Sequence, residues 1–374
     1  MSQAALGSET PRSAMSEAPW LRWVAAIAAF VVAAVVGIIA VGGFDAGLDP
    51  DLGISIKGAN SFALVFAIAL IVAFAVYVGI EYRQTGRLDS ISRQFDTRTI
   101  VLMPLAIALN IVLGQAVGAA LKIPIYLDSI GTILVGALAG PIPGAITGFL
   151  ANTLWTYVVP PPFHSDISGA FAIVAAIIGL LAGAFGRFGW LRPRPNSSGS
   201  RLATGAIISV VLIVGLAWLA YLGYTSFGSF DLLPSGDNGV FVILGYVALA
   251  LVVGTAVGLI VLLYLRRDLT VAYVVVGGVL TGIVAALISA PISANVFGGV
   301  TGAGTDFLVA AFRQAGSDIQ AATLGQGFIS DPIDKVTTFF VVYLILGAMA
   351  VRTKARFPQG EKLINADTPD GALG

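Results

Sequence analysis

The chain has 374 residues, of which 57% are hydrophobic and only 11% charged, and its formal net charge is zero. A soluble domain carries about a quarter charged residues, so this composition excludes an ordinary soluble protein, and the neutral balance excludes a basic nucleic-acid footprint. With no cysteine and one histidine, His164, disulfides, thiolate chemistry, Cys-ligated metals and His-rich metal sites are also excluded.

Apolar runs of about 20 residues recur along the chain, the pattern of membrane-crossing helices. A membrane β-barrel would show alternating segments of about ten residues instead. The expected fold class is therefore an all-α polytopic membrane protein with about ten transmembrane helices, both termini lying in the cytoplasm. Residues 1–20 are polar and expected to be a disordered cytoplasmic terminus. Spans follow at 21–43 and 60–82, a two-helix extension reaching to residue 98. The first run is too long for a signal-peptide core and is read as a retained span. Further spans fall at 99–121, 127–140, 143–158, 166–187, 203–226, 238–265, 270–290 and 335–351, within a membrane domain covering 99–352. The pair 127–140 and 143–158 is short, and reads as tilted spans or as a re-entrant hairpin buried in protein. Residues 353–374 are expected to be a cytoplasmic tail, disordered beyond about Phe357.

Basic residues set the orientation. Arg83, Arg87, Arg93 and Arg98 share one loop; Arg187, Arg192, Arg194 and Arg201 share another. Arg266 and Arg267 form a third group, and Arg352, Lys354, Arg356 and Lys362 follow the last span. With Arg12 and Arg22, sixteen of the twenty Lys and Arg residues fall on one side, and only Lys57, Lys122, Arg313 and Lys335 fall on the other. The Arg-rich side is assigned to the cytoplasm. The segments "LKIPIYLD" (121–128), "VPPPFHSD" (159–166) and "FGGVTGAGTDFLVAAFRQAGSDIQAATLGQGFISDPIDK" (297–335) then face outside.

In the third span Ala106, Asn110, Gly114 and Gly118 recur every four residues, a stripe suited to close helix approach. It serves either internal packing or the docking of a partner subunit. Asp128, Asn152, Trp155 and His164 approach the outer face. Intramembrane ionisable groups are functional candidates by default, although Trp155 also fits an interfacial belt and His164 fits a solvent-facing loop.

In 297–335 the spacing Gly299 to Gly304 outlines a phosphate loop, but Thr305 stands where lysine is required. The glycines instead supply bends. Short helices are expected at 305–315 and 318–329, with Asp306 and Arg313 seven residues apart on one face. "DPIDK" (331–335) reads as the start of the last span, with Asp331 as its N-cap and Pro332 at the first helical position. Asp334 then stands in the first turn beside Lys335. Asp306, Asp331, Asp334 and Lys335 are candidate polar contacts or caps above an outward pocket. No paired catalytic carboxylates or Ser/His/Asp set assembles, so the chain reads as a binder or conduit and not as an enzyme.

Segment 105–155, with its small-residue helix, "IPIYLDSIGT" and "GALAGPIPGAITGFLAN", resembles the substrate-binding S component of energy-coupling factor (ECF) transporters. "FGGVTGAGTD" followed by "SDPIDK" resembles the ends of long, uncharacterised forms of that family, and the similarity covers roughly 100–350. The resemblance implies a subunit of the plasma membrane, of prokaryotic type, that captures a vitamin or its precursor from outside. The resemblance implies docking of the coupling protein on Ala106, Asn110, Gly114 and Gly118, while the polar residues read above, Asp128, Asn152, Trp155, Asp306, Asp331, Asp334 and Lys335, are the candidate substrate contacts. It further implies partnership with one transmembrane coupling protein and two ATPases that carry the ATP, with no cofactor on this chain. Segments 20–98 and 203–265 have no counterpart in the small members. Two other readings stand beside it: a membrane sensory module, and an autonomous secondary transporter with polar hairpins at 122–160 and 291–335.

Overall fold

The computed structural model describes residues 19–44, 55–115, 126–161, 163–195, 197, 199–200, 202–207, 210, 214–215, 254, 257–265 and 267–365. The expected terminus at 1–18, most of the spans at 203–226 and 238–265, the loop residues 122–125, and Gly118 lie outside them. Every regular element among the described residues is helical. Four helical segments are long and apolar enough to cross a membrane: Trp20–Val41, Ile56–Thr85, Ser168–Arg187 and Thr270–Phe297.

The chain divides into two compact units, Met1–Gly43 with Leu64–Ser92, and Phe44–Ala63 with Arg93–Gly374. The first unit is built on α1 (Trp20–Val41), most of α2 (Ile56–Thr85) and the short α3 (Asp89–Ser92). Trp23 packs on Tyr77 with ring centroids 4.8 Å apart, and a Cβ at Gly37 would lie 2.6 Å from Val65. Glu81 is 1% exposed and ties the base of the hairpin. It accepts hydrogen bonds from Arg22 Nη1 at 3.1 Å and from the Ser90 backbone N–H at 2.9 Å. The outward side of α1 carries Val24, Ile27, Val31 and Val35, spaced along one helical stripe and exposed. Only 11% of the most apolar stretch of α1 is buried, against 72% for Ser168–Arg187. An apolar stripe turned outward suits a lipid solvent, and the backbone polar groups are satisfied within the helix.

The second unit holds α4 (Thr97–Leu113), α5 (Ile130–Ala139), α6 (Pro141–Tyr157), a 3-10 turn (Ser168–Phe171), α7 (Ala172–Arg187), α8 (Thr270–Phe297), α9 (Asp306–Gln314), α10 (Ile319–Ala348), α11 (Val351–Ala355) and a last 3-10 turn (Gly360–Leu363). Asp96 starts α4 by accepting from Thr99 N at 2.8 Å. The short pair expected at 127–158 is a helical hairpin broken at Gly140, whose φ of +129° only glycine adopts readily. Gln94 and Gln359 close this break: Ile142 N donates to Gln94 Oε1, and Gln359 N donates to Leu138 O. All ten residues of α5 are buried.

Glycines let the helices touch backbone to backbone, as lipid-embedded bundles require when no hydrophobic force drives helices together. A Cβ at Gly179 of α7 would lie 2.2 Å from the Gly144 backbone of α6, and one at Gly282 of α8 would lie 2.4 Å from Pro332 Cα of α10. The basic residues collect with the C-terminal segment at one end of this unit. Arg98 Nη1 donates to Arg356 O, Arg192 Nε to Ile364 O, and Lys362 Nζ to Arg187 O.

Two expectations are corrected. The last span does not begin at "DPIDK". A single helix runs from Ile319 to Ala348, capped by Asp318, whose carboxylate accepts from Ala321 N at 2.7 Å. Pro332 removes one helical hydrogen bond, yet it packs against Gly282 inside the bundle, where neighbouring helices support an interrupted ladder. Asp331 is thus mid-helix and caps nothing. The C-terminal tail is also not free up to residue 365: Leu363 is 1% exposed and Gly360 is buried against Lys354.

Candidate binding site

One face of α10 is polar where its surroundings are apolar. Gln326, Ser330, Asp331, Asp334 and Lys335 follow helical spacing and are all buried. Lys335 stands about 24 Å from Ile319 along the axis, at 1.5 Å per residue, so these charges occupy the middle of the helix.

Asp334 is fully buried, and its Oδ1 accepts from Tyr126 N at 3.0 Å and Leu127 N at 2.9 Å. Leu127 adopts φ +51°, a left-handed conformation that costs an L-residue about 1–2 kcal/mol. The strained turn aims two successive N–H groups at one carboxylate oxygen, an anion-binding nest. Lys335 Nζ donates to Asp334 Oδ2 at 2.5 Å and to Ser129 Oγ at 2.8 Å, and stands 3.8 Å from Asp128 Oδ1. The 126–129 loop is therefore pinned inside the bundle by α10, and α5 begins where that loop ends. Its free N-terminus is satisfied by Asn110 of α4, whose Oδ1 accepts from Gly131 N at 2.7 Å and whose Nδ2 donates to Thr132 Oγ1 at 2.8 Å.

Above this floor lies a cavity of about 520 Å³. Asp128, Ser129, Asp331 and Lys335 form its polar floor, while Phe171, Val174, Ile178 and Ala285 form an apolar wall. Asp331 accepts from Ser330 Oγ and from Ser289 Oγ of α8, both at 3.2 Å. Gln326 Nε2 donates to Ser330 Oγ at 2.6 Å and approaches the Tyr126 hydroxyl at 3.4 Å. That hydroxyl pairs with Thr305 Oγ1 at 2.8 Å. Beside the cavity Trp155 donates from Nε1 to Phe163 O at 2.8 Å, and Phe171 stacks on Phe297 with centroids 5.7 Å apart. His164 stands at the cavity rim, 2.9 Å from Asp166 Oδ1.

Five of the seven predicted contact residues therefore meet on one surface: Asp128, Asn152, Trp155, Asp331 and Lys335 all line the cavity. Asp306 and Asp334 do not. Asp306 reaches back to brace the preceding turn, its Oδ2 accepting from Thr301 N and Gly302 N and its Oδ1 from Thr301 Oγ1. That turn is part of the cavity wall, so Asp306 shapes the site without facing it. Asp334 is spent on the 126–127 turn and on Lys335. Arg313 is exposed and donates to Ser317 O.

The stripe assigned to partner docking is largely internal. Ala106 and Asn110 are 2% and 1% exposed, and a Cβ at Gly131 of α5 would lie 2.2 Å from Ala106 O. Gly114 receives the Trp155 ring, which would lie 2.5 Å from an added Cβ. The small residues are consumed by seating α5 and Trp155, and the outward face of α4 carries the bulky Ile100, Val101, Leu105 and Val112. His164, for which the sequence leaves both a solvent-facing loop and a ligand contact open, stands at the rim with its side chain 31% exposed.

Sequence reasoning missed Tyr126, Ser129, Phe171, Ser289 and Gln326. Two signals were present: the polar face of α10 runs back from Lys335 through Asp331 to Gln326, and Ala285, Ser289 and Ser293 repeat every four residues in α8. Reading α10 as broken at Pro332 cut the first of these. Among the described residues no cluster of three or more His, Asp or Glu is arranged for a metal ion. No protein-family model, curated protein or solved structure matches the chain.

Proposed function

We propose that the chain is the substrate-binding membrane subunit of an ECF-type importer, capturing a small nutrient from outside for uptake driven by partner ATPases. The observation that carries the reading is the cavity of about 520 Å³ lined by buried charges, within the about 300–1,000 Å³ of small-molecule sites. The resemblance of segment 105–155 to S components supports the family, and the gathering of basic residues at one end of the second unit supports an orientation with that end in the cytoplasm. On this reading the protein resides in the plasma membrane, and the ATP is held by two ATPases joined to a transmembrane coupling protein. Because Ala106 and Asn110 are buried, the coupling protein docks elsewhere than on that stripe.

The test is coexpression with an ECF coupling protein and its two ATPases. Copurification of all four chains and ATP-dependent uptake are expected. Failure both to associate and to support uptake overturns the proposal. A second reading, an autonomous secondary transporter, is favoured by the buried Asp334 and Lys335 pair with the half-buried Asp128 beside it, since such groups mark ion or proton pathways. Uptake into vesicles that lack ATP but carry an ion gradient decides for that reading.

A further inference from the structure

The charges around the cavity do not balance. Asp128, Asp331 and, directly behind the floor, Asp334 face a single ammonium, Lys335. That ammonium is largely committed: two of its three hydrogens go to Asp334 and Ser129, and its distance of 3.8 Å to Asp128 exceeds hydrogen-bond length. Asp331 is 6% exposed and lines the cavity, yet among the described residues no Lys, Arg or His nitrogen comes within 4.0 Å of it. Each of its oxygens accepts a single hydroxyl at 3.2 Å, long for an O–H···O bond. A carboxylate accepts about four hydrogen bonds, so Asp331 presents unused acceptor positions to the cavity.

We infer that the cavity takes an organic cation, whose ammonium is received by the Asp331 carboxylate and whose apolar, ring-sized body lies against Phe171 and Ile178. The inference rests on the capture reading and names the ligand class for it. A charged donor supplies what the two serines do not, because charge-assisted hydrogen bonds are roughly twice as strong as neutral ones. An anionic ligand would meet the Asp128, Asp166 and Asp331 carboxylates and one ammonium with a single hydrogen left to give. A neutral ligand would leave Asp331 without a counter-charge, so the carboxyl would hold a proton and offer only neutral hydrogen bonds, the weaker kind.

The test is calorimetric titration of the full chain in nanodiscs with three probes on one indole skeleton: tryptamine (cation), tryptophol (neutral) and indole-3-acetate (anion). Tryptamine is expected to bind at least about tenfold more tightly than either, the gain of one charge-assisted contact. Asp331→Asn, nearly isosteric, is expected to bring tryptamine down to the level of tryptophol, and Arg313→Gln is expected to leave all three unchanged. Ser289→Phe, which projects into the cavity, is expected to abolish binding and so separates cavity binding from partition into lipid. The ranking on the unmodified chain stands whether or not a variant folds. Preference for indole-3-acetate or tryptophol, or equal binding of all three, overturns the cation assignment; if Ser289→Phe still abolishes that binding, the capture reading survives. A tryptamine preference retained in Asp331→Asn overturns the role of Asp331. No cavity-dependent binding of any probe overturns both.

Discussion

Lys335→Met removes one charge from the middle of the second unit while keeping an unbranched side chain of similar length. Asp334 is 0% exposed and would lose its charged partner at 2.5 Å, retaining only the N–H groups of Tyr126 and Leu127. Ser129 would lose its donor as well. Removing one member of a buried ion pair costs about 3–5 kcal/mol. Two remaining backbone donors place this case at the lower end, about 3 kcal/mol, or roughly a hundredfold in the unfolding equilibrium. Asp334→Asn alone would strand Lys335 less severely, because Ser129 and Asp128 remain beside it. The double variant removes both charges and is expected to recover at least about 1 kcal/mol relative to Lys335→Met, since deleting a whole buried pair is often near neutral. The assay is reversible unfolding in mixed micelles, followed by circular dichroism for the parent, both single variants and the double variant. A loss below about 0.5 kcal/mol for Lys335→Met, the range of ordinary surface changes, would show that Asp334 does not depend on Lys335 and would refute the reasoning.

Asn110→Ala is expected to cost about 1–3 kcal/mol by leaving Gly131 N and Thr132 without their buried partner, with faster amide exchange at 131–132 as the local readout. Gly282→Ala would drive a methyl group to within 2.4 Å of Pro332 Cα and is expected to destabilise by at least about 1–3 kcal/mol. Gly347→Ala, near the end of the same helix α10 with nothing within 4 Å, is expected to stabilise by about 0.5–1 kcal/mol; equal effects of the two in an unfolding assay would refute the close-packing argument. Glu81→Ala is expected to loosen the first unit by about 1–3 kcal/mol through loss of its bonds to Arg22 and Ser90, seen as protease nicking at 86–92 that the parent resists.

Hydropathy located α1, α2, α7 and α8 because each is a long apolar run, a property of the sequence alone. Helix α10 was cut in two because Pro332 and three nearby charges look like a boundary locally. Only the facing Gly282 makes a continuous helix there acceptable, and that partner lies fifty residues away in sequence. Asp128, Asp331 and Lys335 were found because charge at membrane depth is costly and so conspicuous. Asp306 and Asp334 carry the same signal but are consumed by backbone N–H groups, and nothing in composition separates a carboxylate that braces a turn from one that lines a wall. The stripe from Ala106 to Gly114 was visible as a close-packing surface, while the identity of the partner, α5 and Trp155 of the same chain, was not.

The shortness of α5 bears on how the protein is made. Ten residues span about 15 Å, half of the about 30 Å hydrocarbon layer. Such a segment has no independent existence in a membrane: its first turn would present bare N–H groups to lipid. Asn110 of α4 supplies the acceptor for that turn, and Gly140 hands the chain directly to α6. The geometry thus suits an order of insertion in which α4 is in place before α5 and α6 enter as a pair against it.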